Sequence, residues 1–86
     1  MSERPSEGDI ACVVDASGLF CPMPIARLSA ALKDLSPGAI VELISTDPGT
    51  PGDLTAFCKA ARHTLIATRV EPERFTAWVQ KKERTT

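Results

Sequence analysis

The chain has 86 residues, 43% of them apolar and 24% charged, with a formal net charge of −1. That length suffices for one domain around one hydrophobic core. A near-neutral balance excludes the electrostatic footprint of a nucleic-acid binder, and no apolar run approaches the roughly 20 residues that cross a bilayer.

Met1–Gly8 is polar and holds acids beside Arg4, so it does not read as a signal peptide. Residues 1–9 are expected to be a disordered lead-in, and the protein to be cytoplasmic. From Ile10 to Asp15 a short apolar run with Val13 and Val14 predicts a strand. Ala16, Ser17 and Gly18 form a turn, and Leu19, Phe20 and Cys21 lead into a helix that should start at Pro22. Its apolar residues Ile25, Leu28, Leu32 and Leu35 recur at helical spacing, and Ser36-Pro37-Gly38 stops it.

Ala39 to Ser45 is a nearly continuous apolar run of the kind a central strand shows. Thr50-Pro51-Gly52-Asp53 fits a capping box with Asp in its fourth position, with Pro51 as the first helical residue. Leu54, Phe57, Cys58 and Ala61 then share one helical face. Thr64 to Val70 and Phe75 to Gln80 read as strands, joined by Glu71–Arg74 into an antiparallel hairpin. Trp78 alternates with Ala77 and Val79 and falls on the sheet's uncovered face. Residues 82–86 form a charged tail. The order is βαβαββ, and right-handed crossovers put both helices on one face of a mixed four-stranded sheet. A two-layer α/β sandwich, one domain over residues 10–81, is the expected fold.

Cysteines stand at positions 12, 21 and 58, an odd number at irregular spacing, which argues against a disulfide framework. Cys12, inside a strand, and Cys58, on a helical apolar stripe, read as small core hydrophobes with little reactivity. Cys21 differs. It lies in a strand-to-helix loop, and Pro22 pushes it toward the extended conformation of an N-cap. Its sulfur would then sit at the positive end of the helix dipole. Pro22 and Pro24, as first and third helical residues, stiffen that turn while removing N–H donors. A thiol of pKa ~8.5 is only about 3% ionised at pH 7, and a pKa about one unit lower gives roughly a quarter. An incidental loop cysteine is the alternative that spacing alone leaves open.

The other polar residues carry less. A single Cys58-x4-His63 pair is poor grounds for a metal site, and none is expected. His63 reads as a solvent-edge residue, with nothing in the sequence to bring it within reach of Cys21 as a general base. Asp47 and Asp53 look structural, in a loop and a helix cap. Arg27 and Lys33 lie on a solvated helix face. Its functional reading is a docking surface beside the sulfur, in which Leu19, Phe20 and Met23 join Arg27 and Lys33.

The stretch Asp15-Ala16-Ser17-Gly18-Leu19-Phe20-Cys21-Pro22-Met23-Pro24 resembles the signature of the TusA (SirA-like) family of sulfur carriers, a Gly-Leu pair two residues before Cys-Pro-x-Pro. Thr46-Asp47-Pro48-Gly49, Asp53-Leu54, Phe57-Cys58, His63 and Leu65 fall at that family's downstream offsets. The resemblance implies a βαβαββ sandwich, with Gly18, Leu19, Pro22 and Pro24 shaping the loop around Cys21. It implies that Cys21 carries sulfane sulfur covalently as a persulfide, with no other cofactor. The donor would be a cysteine desulfurase or rhodanese-type protein and the acceptor a sulfur-relay protein, serving tRNA thiolation, cofactor sulfur supply or sulfur metabolism. Neither direct nucleic-acid binding nor membrane attachment is implied, and a monomer is expected. Arg62 departs from the pattern, because the family has Gly before the position of His63, where a helix ends in a left-handed conformation. The competing reading is a regulatory or interaction module in which Cys21 is a redox-sensitive surface residue.

Overall fold

The computed structural model describes residues 5–83. Its elements in chain order are β1 (Ile10–Ala16), α1 (Met23–Lys33), β2 (Ile40–Ser45), α2 (Thr50–Ala61), β3 (Thr64–Val70) and β4 (Phe75–Gln80). The strands form one sheet in the order β1-β2-β4-β3. β1 runs parallel to β2, while β4 is antiparallel to both β2 and β3.

Alternation along the strands makes the two faces. Val41, Leu43 and Ser45 of β2 are buried, and Ile40, Glu42 and Ile44 between them are only half-buried. The two central strands, β2 and β4, supply most of the sheet's share of the core. Val41, Leu43, Phe75, Ala77 and Val79 pack with Leu28 and Leu32 of α1 and with Leu54 and Cys58 of α2. α1 lies on β1 and β2, α2 on β3 and β4, and the helices touch one another, so one face is covered. Burying side chains such as Leu28, Leu43 and Leu54, all at 0% exposure, stabilises the fold by about 1.5–3 kcal/mol each. No helix among the described residues is long and apolar enough to cross a membrane.

Two expectations change here. Within residues 1–9, Glu7–Asp9 forms a 3-10 turn rather than a disordered lead-in, closed by the Asp9 N–H on the Ser6 carbonyl at 2.9 Å. Residues 1–4 of that lead-in and residues 84–86 of the expected tail lie outside the described residues. Trp78 does point to the face away from the helices, yet it is only 3% exposed. Its indole N–H donates to Glu42 Oε1 at 2.9 Å, and it shares a cavity of about 250 Å³ with Pro5, Ser6 and Glu7. The ordered start of the chain borders the ring that the sequence leaves on an open face.

Candidate functional site

The parallel pairing of β1 with β2 determines where the site lies. Ala16 is in register with Ser45, so the loops that leave these two strands emerge side by side at the same end of the sheet. In the first loop, the Ser17 N–H donates to Asp15 Oδ1 at 3.0 Å, and bonding from Ser17 holds the Asp15 carboxyl below its usual range. Gly18 follows with φ +80°, a left-handed conformation that favours glycine. Its N–H donates across to Thr46 Oγ1 in the second loop at 2.8 Å. The Leu19 N–H returns to the Ala16 carbonyl at 3.1 Å, and the Leu19 side chain packs against the core. Phe20 is left outside, 73% exposed.

The second loop is organised by Asp47. Oδ2 accepts the Cys21 N–H at 2.7 Å, and Oδ1 accepts the Gly49 N–H at 3.1 Å. The Asp47 N–H in turn reaches Ser45 Oγ at 3.2 Å, and that hydroxyl is paired with Thr50 Oγ1 at 2.7 Å in the interior. A chain of bonds therefore runs from the buried end of β2 to the backbone of Cys21.

Cys21 is exposed, and its thiol donates to Asp53 Oδ2 at 2.7 Å. This contact arises because the expected capping box does not form. Thr50 is itself the first residue of α2, Gly49 occupies the cap position, and no side chain caps the helix. The Thr50 hydroxyl turns inward to Ser45, which leaves Asp53, in the first helical turn, free to reach the sulfur.

The electrostatics run opposite to the sequence expectation. The Cys21 thiol is pushed above its ordinary pKa, first by its hydrogen bond to Asp53, then by desolvation and by the charges of Asp53 and Asp47. The helix dipole does not win, because Cys21 is not the N-cap. Pro22 holds that position, Met23 is the first helical residue and Pro24 the second. The Met23 N–H is taken by the Phe20 carbonyl at 2.8 Å, so it is not free for a thiolate. The Cys21–Pro22 peptide is cis.

The remaining sequence candidates separate cleanly. Met23, at 43% exposure, and Arg27 are exposed like Phe20 on the side of α1 that follows the sulfur loop. Pro24 is fully buried, so besides shaping the turn it fills the core. Cys12 is half-buried against the core, and burial raises the Cys58 thiol to about 11. His63 lies beyond the far end of α2, whose last residue Ala61 is eight residues, about 12 Å of helix, from Asp53. Its Nδ1 accepts the Lys82 N–H at 3.0 Å, and it takes no part at the sulfur. Arg62 ends α2 at φ +66°, the left-handed ending that glycine would favour. No cluster of three or more His, Cys, Asp or Glu able to hold a metal occurs among the described residues. Asp47 and Asp53, which the sequence reading assigned to structure alone, are the side chains bonded to the backbone and thiol of Cys21. A groove of about 420 Å³ continues from Asp47 to Pro51, Val70 and Glu73, with Val70 78% exposed.

Comparison with known proteins identifies the family. A family model described as sulfurtransferase TusA matches residues 13–81. The sulfur carrier protein TusA of Pseudomonas syringae pv. tomato is 39% identical over 82 residues, covering 95% of this chain and 98% of that protein. The TusA of Pseudomonas paraeruginosa is 37% identical over 70 residues, 81% of this chain and 89% of that protein. The crystal structure of a SirA-like protein from Desulfitobacterium hafniense superposes with a TM-score of 0.69 at 18% identity. It covers 84% of this chain and 99% of that one, a likeness of fold.

Proposed function

Since the chain belongs to the TusA family and is a sulfur carrier, we propose that Cys21 is the carrying residue and holds the sulfur as a persulfide. Carriers of this kind exchange sulfur with donor and acceptor proteins. The Cys21 thiolate attacks the outer sulfur of a donor persulfide. A bond forms from Sγ to that sulfur, the donor's S–S bond breaks, and the donor leaves as a thiolate. In the second half-reaction an acceptor thiolate attacks the carried sulfur and expels Cys21. The sulfur changes hands at one oxidation level, so no external oxidant or reductant is consumed.

The observation that carries this reading is the contrast among the thiols. Cys21 is exposed on a loop braced from two strands, whereas Cys58 is buried and Cys12 is half-buried. Exposed Phe20 and Met23 flank it and offer an apolar contact to a partner. The donor is a cysteine desulfurase or rhodanese-type protein, and the acceptor a sulfur-relay protein.

The test is mass spectrometry after incubation with a cysteine desulfurase and cysteine. The wild-type chain is expected to gain one sulfur that dithiothreitol removes, and Cys21→Ser to gain none while keeping its fold. Iodoacetamide should label Cys21 well before Cys58. A labile sulfur on the serine variant would reassign the carrier to Cys12 or Cys58.

A further inference from the structure

We propose that Asp53 is a second catalytic residue, which takes the proton of Cys21 as sulfur arrives and returns it as sulfur leaves. This rests on Cys21 being the carrying residue.

Geometry comes first. Asp53 Oδ2 lies 2.7 Å from the reacting Sγ, at direct proton-transfer distance. Neither partner is loosely held. The Asp53 backbone belongs to the first turn of α2, with its N–H on the Gly49 carbonyl at 3.2 Å. The Cys21 loop is tied to the neighbouring loop through Cys21 N–H to Asp47 and Gly18 N–H to Thr46. Asp47 does not compete for the role, since its two oxygens are engaged by the N–H groups of Cys21 and Gly49.

Magnitudes then decide between a passive and an active carboxylate. Raising a thiol's pKa by about one unit removes roughly 90% of its thiolate, while intrinsic nucleophilicity rises only about 3-fold at a Brønsted slope near 0.4–0.5. A passive neighbour that raises a thiol's pKa thus removes more thiolate than the added nucleophilicity restores. A more basic sulfur is also a slower leaving group. A carboxylate at this distance therefore hinders both half-reactions unless it moves the proton itself.

With Asp53 active, the protons balance in both directions. On loading, the Cys21 S–H bond breaks as Sγ bonds the donor's outer sulfur. Asp53 receives that proton and delivers it to the departing donor thiolate, so thiol plus persulfide become persulfide plus thiol. On unloading, Asp53 receives the acceptor's thiol proton and gives it to Sγ as the S–S bond to Cys21 breaks. The carboxylate is restored after each half-reaction.

The test uses the whole chain, with glutathione persulfide as donor and reduced glutathione as acceptor, and compares wild type, Asp53→Asn and Asp53→Glu between pH 6 and 9. At pH 7 the Asn variant should react faster with iodoacetamide, because the charge that suppresses ionisation is gone, yet transfer sulfur about 10-fold more slowly in both directions. That loss is smaller than the usual general-base factor because a thiol is already fairly acidic. Its transfer deficit should shrink as pH rises and close near pH 9, where the thiolate forms unaided. Asp53→Glu should recover part of the rate. Transfer that accelerates together with alkylation would overturn the role, as would a slowing equal at every pH or loss of alkylation and transfer together. A wild-type chain that takes no sulfur on Cys21 would instead remove the carrier assignment itself. Normal wild-type loading with an unaffected Asn variant would remove only Asp53.

Discussion

Pro24→Ala separates a proline that only shapes the sulfur loop from one that also builds the core. Pro24 is fully buried as the second residue of α1, below Cys21 in the chain and above Leu28. Alanine keeps the β-carbon and removes two ring methylenes. At about 0.8 kcal/mol per buried methylene, the lost transfer free energy is about 1.6 kcal/mol. A residual cavity adds to this, because cores collapse only partly around a deletion. The freer unfolded chain contributes about 0.4–1 kcal/mol more in the same direction. The sum is about 2–3 kcal/mol, which lowers Tm by about 10–20 °C in a domain of this size.

A typical stability of about 5–15 kcal/mol leaves the variant folded at room temperature. Urea unfolding is the assay: the midpoint should fall while the slope m stays constant, since the surface exposed on unfolding hardly changes. A destabilisation under about 0.5 kcal/mol would refute the packing role and return Pro24 to loop shaping alone.

Arg62→Gly should stabilise the chain by about 0.5–1 kcal/mol, read as a gain of several degrees in Tm. The left-handed conformation of Arg62 costs an L-residue about 1–2 kcal/mol, only part of which glycine's extra unfolded entropy offsets. An unchanged or lower Tm would mean that the arginine side chain compensates for its backbone. His63 is held below its ordinary pKa first by burial and then by Lys82 and Lys81. Because the folded state favours neutral His63, this contribution is complete above the ordinary histidine value of about 6.5 and is lost as pH falls below it. Protonation would also remove the Nδ1 acceptor for the Lys82 N–H. Tm should therefore drop between about pH 7 and pH 5, and His63→Gln should flatten that slope. An equal slope in the variant would assign the pH dependence elsewhere.

The fold was legible because its signals agree across levels. Ile40–Ser45 is apolar almost throughout, and the structure puts it between two partners. The alternation in Phe75–Gln80 and the short Glu71–Arg74 turn specify a hairpin, and Leu28 with Leu32 specify the buried stripe of α1. The errors lie at helix starts. Both are one residue from expectation, with Met23 rather than Pro22 opening α1 and Thr50 rather than Pro51 opening α2. A single residue matters there, because it decides which side chain faces the sulfur.

Asp53 shows why the chemistry of the site was harder to read than its location. Thr-Pro-Gly-Asp is a complete local explanation for an aspartate, one that assigns its carboxylate to the helix's own backbone. A partner 32 positions earlier in the chain is invisible to that reasoning. What diverts Asp53 is the buried end of β2, where Ser45 captures the Thr50 hydroxyl and no side chain caps the helix. The register of β1 on β2 then brings Cys21 alongside. The helix dipole argument failed for the same reason: it considered α1 alone, while the field at the sulfur is set by a loop and a helix from the neighbouring βα unit. A dipole end is worth about half a unit charge at best, and here its nearest N–H is already bonded. Two full carboxylate charges outweigh it, so a thiol at a helix start is acidified only where no acidic loop from the adjacent parallel strand reaches it.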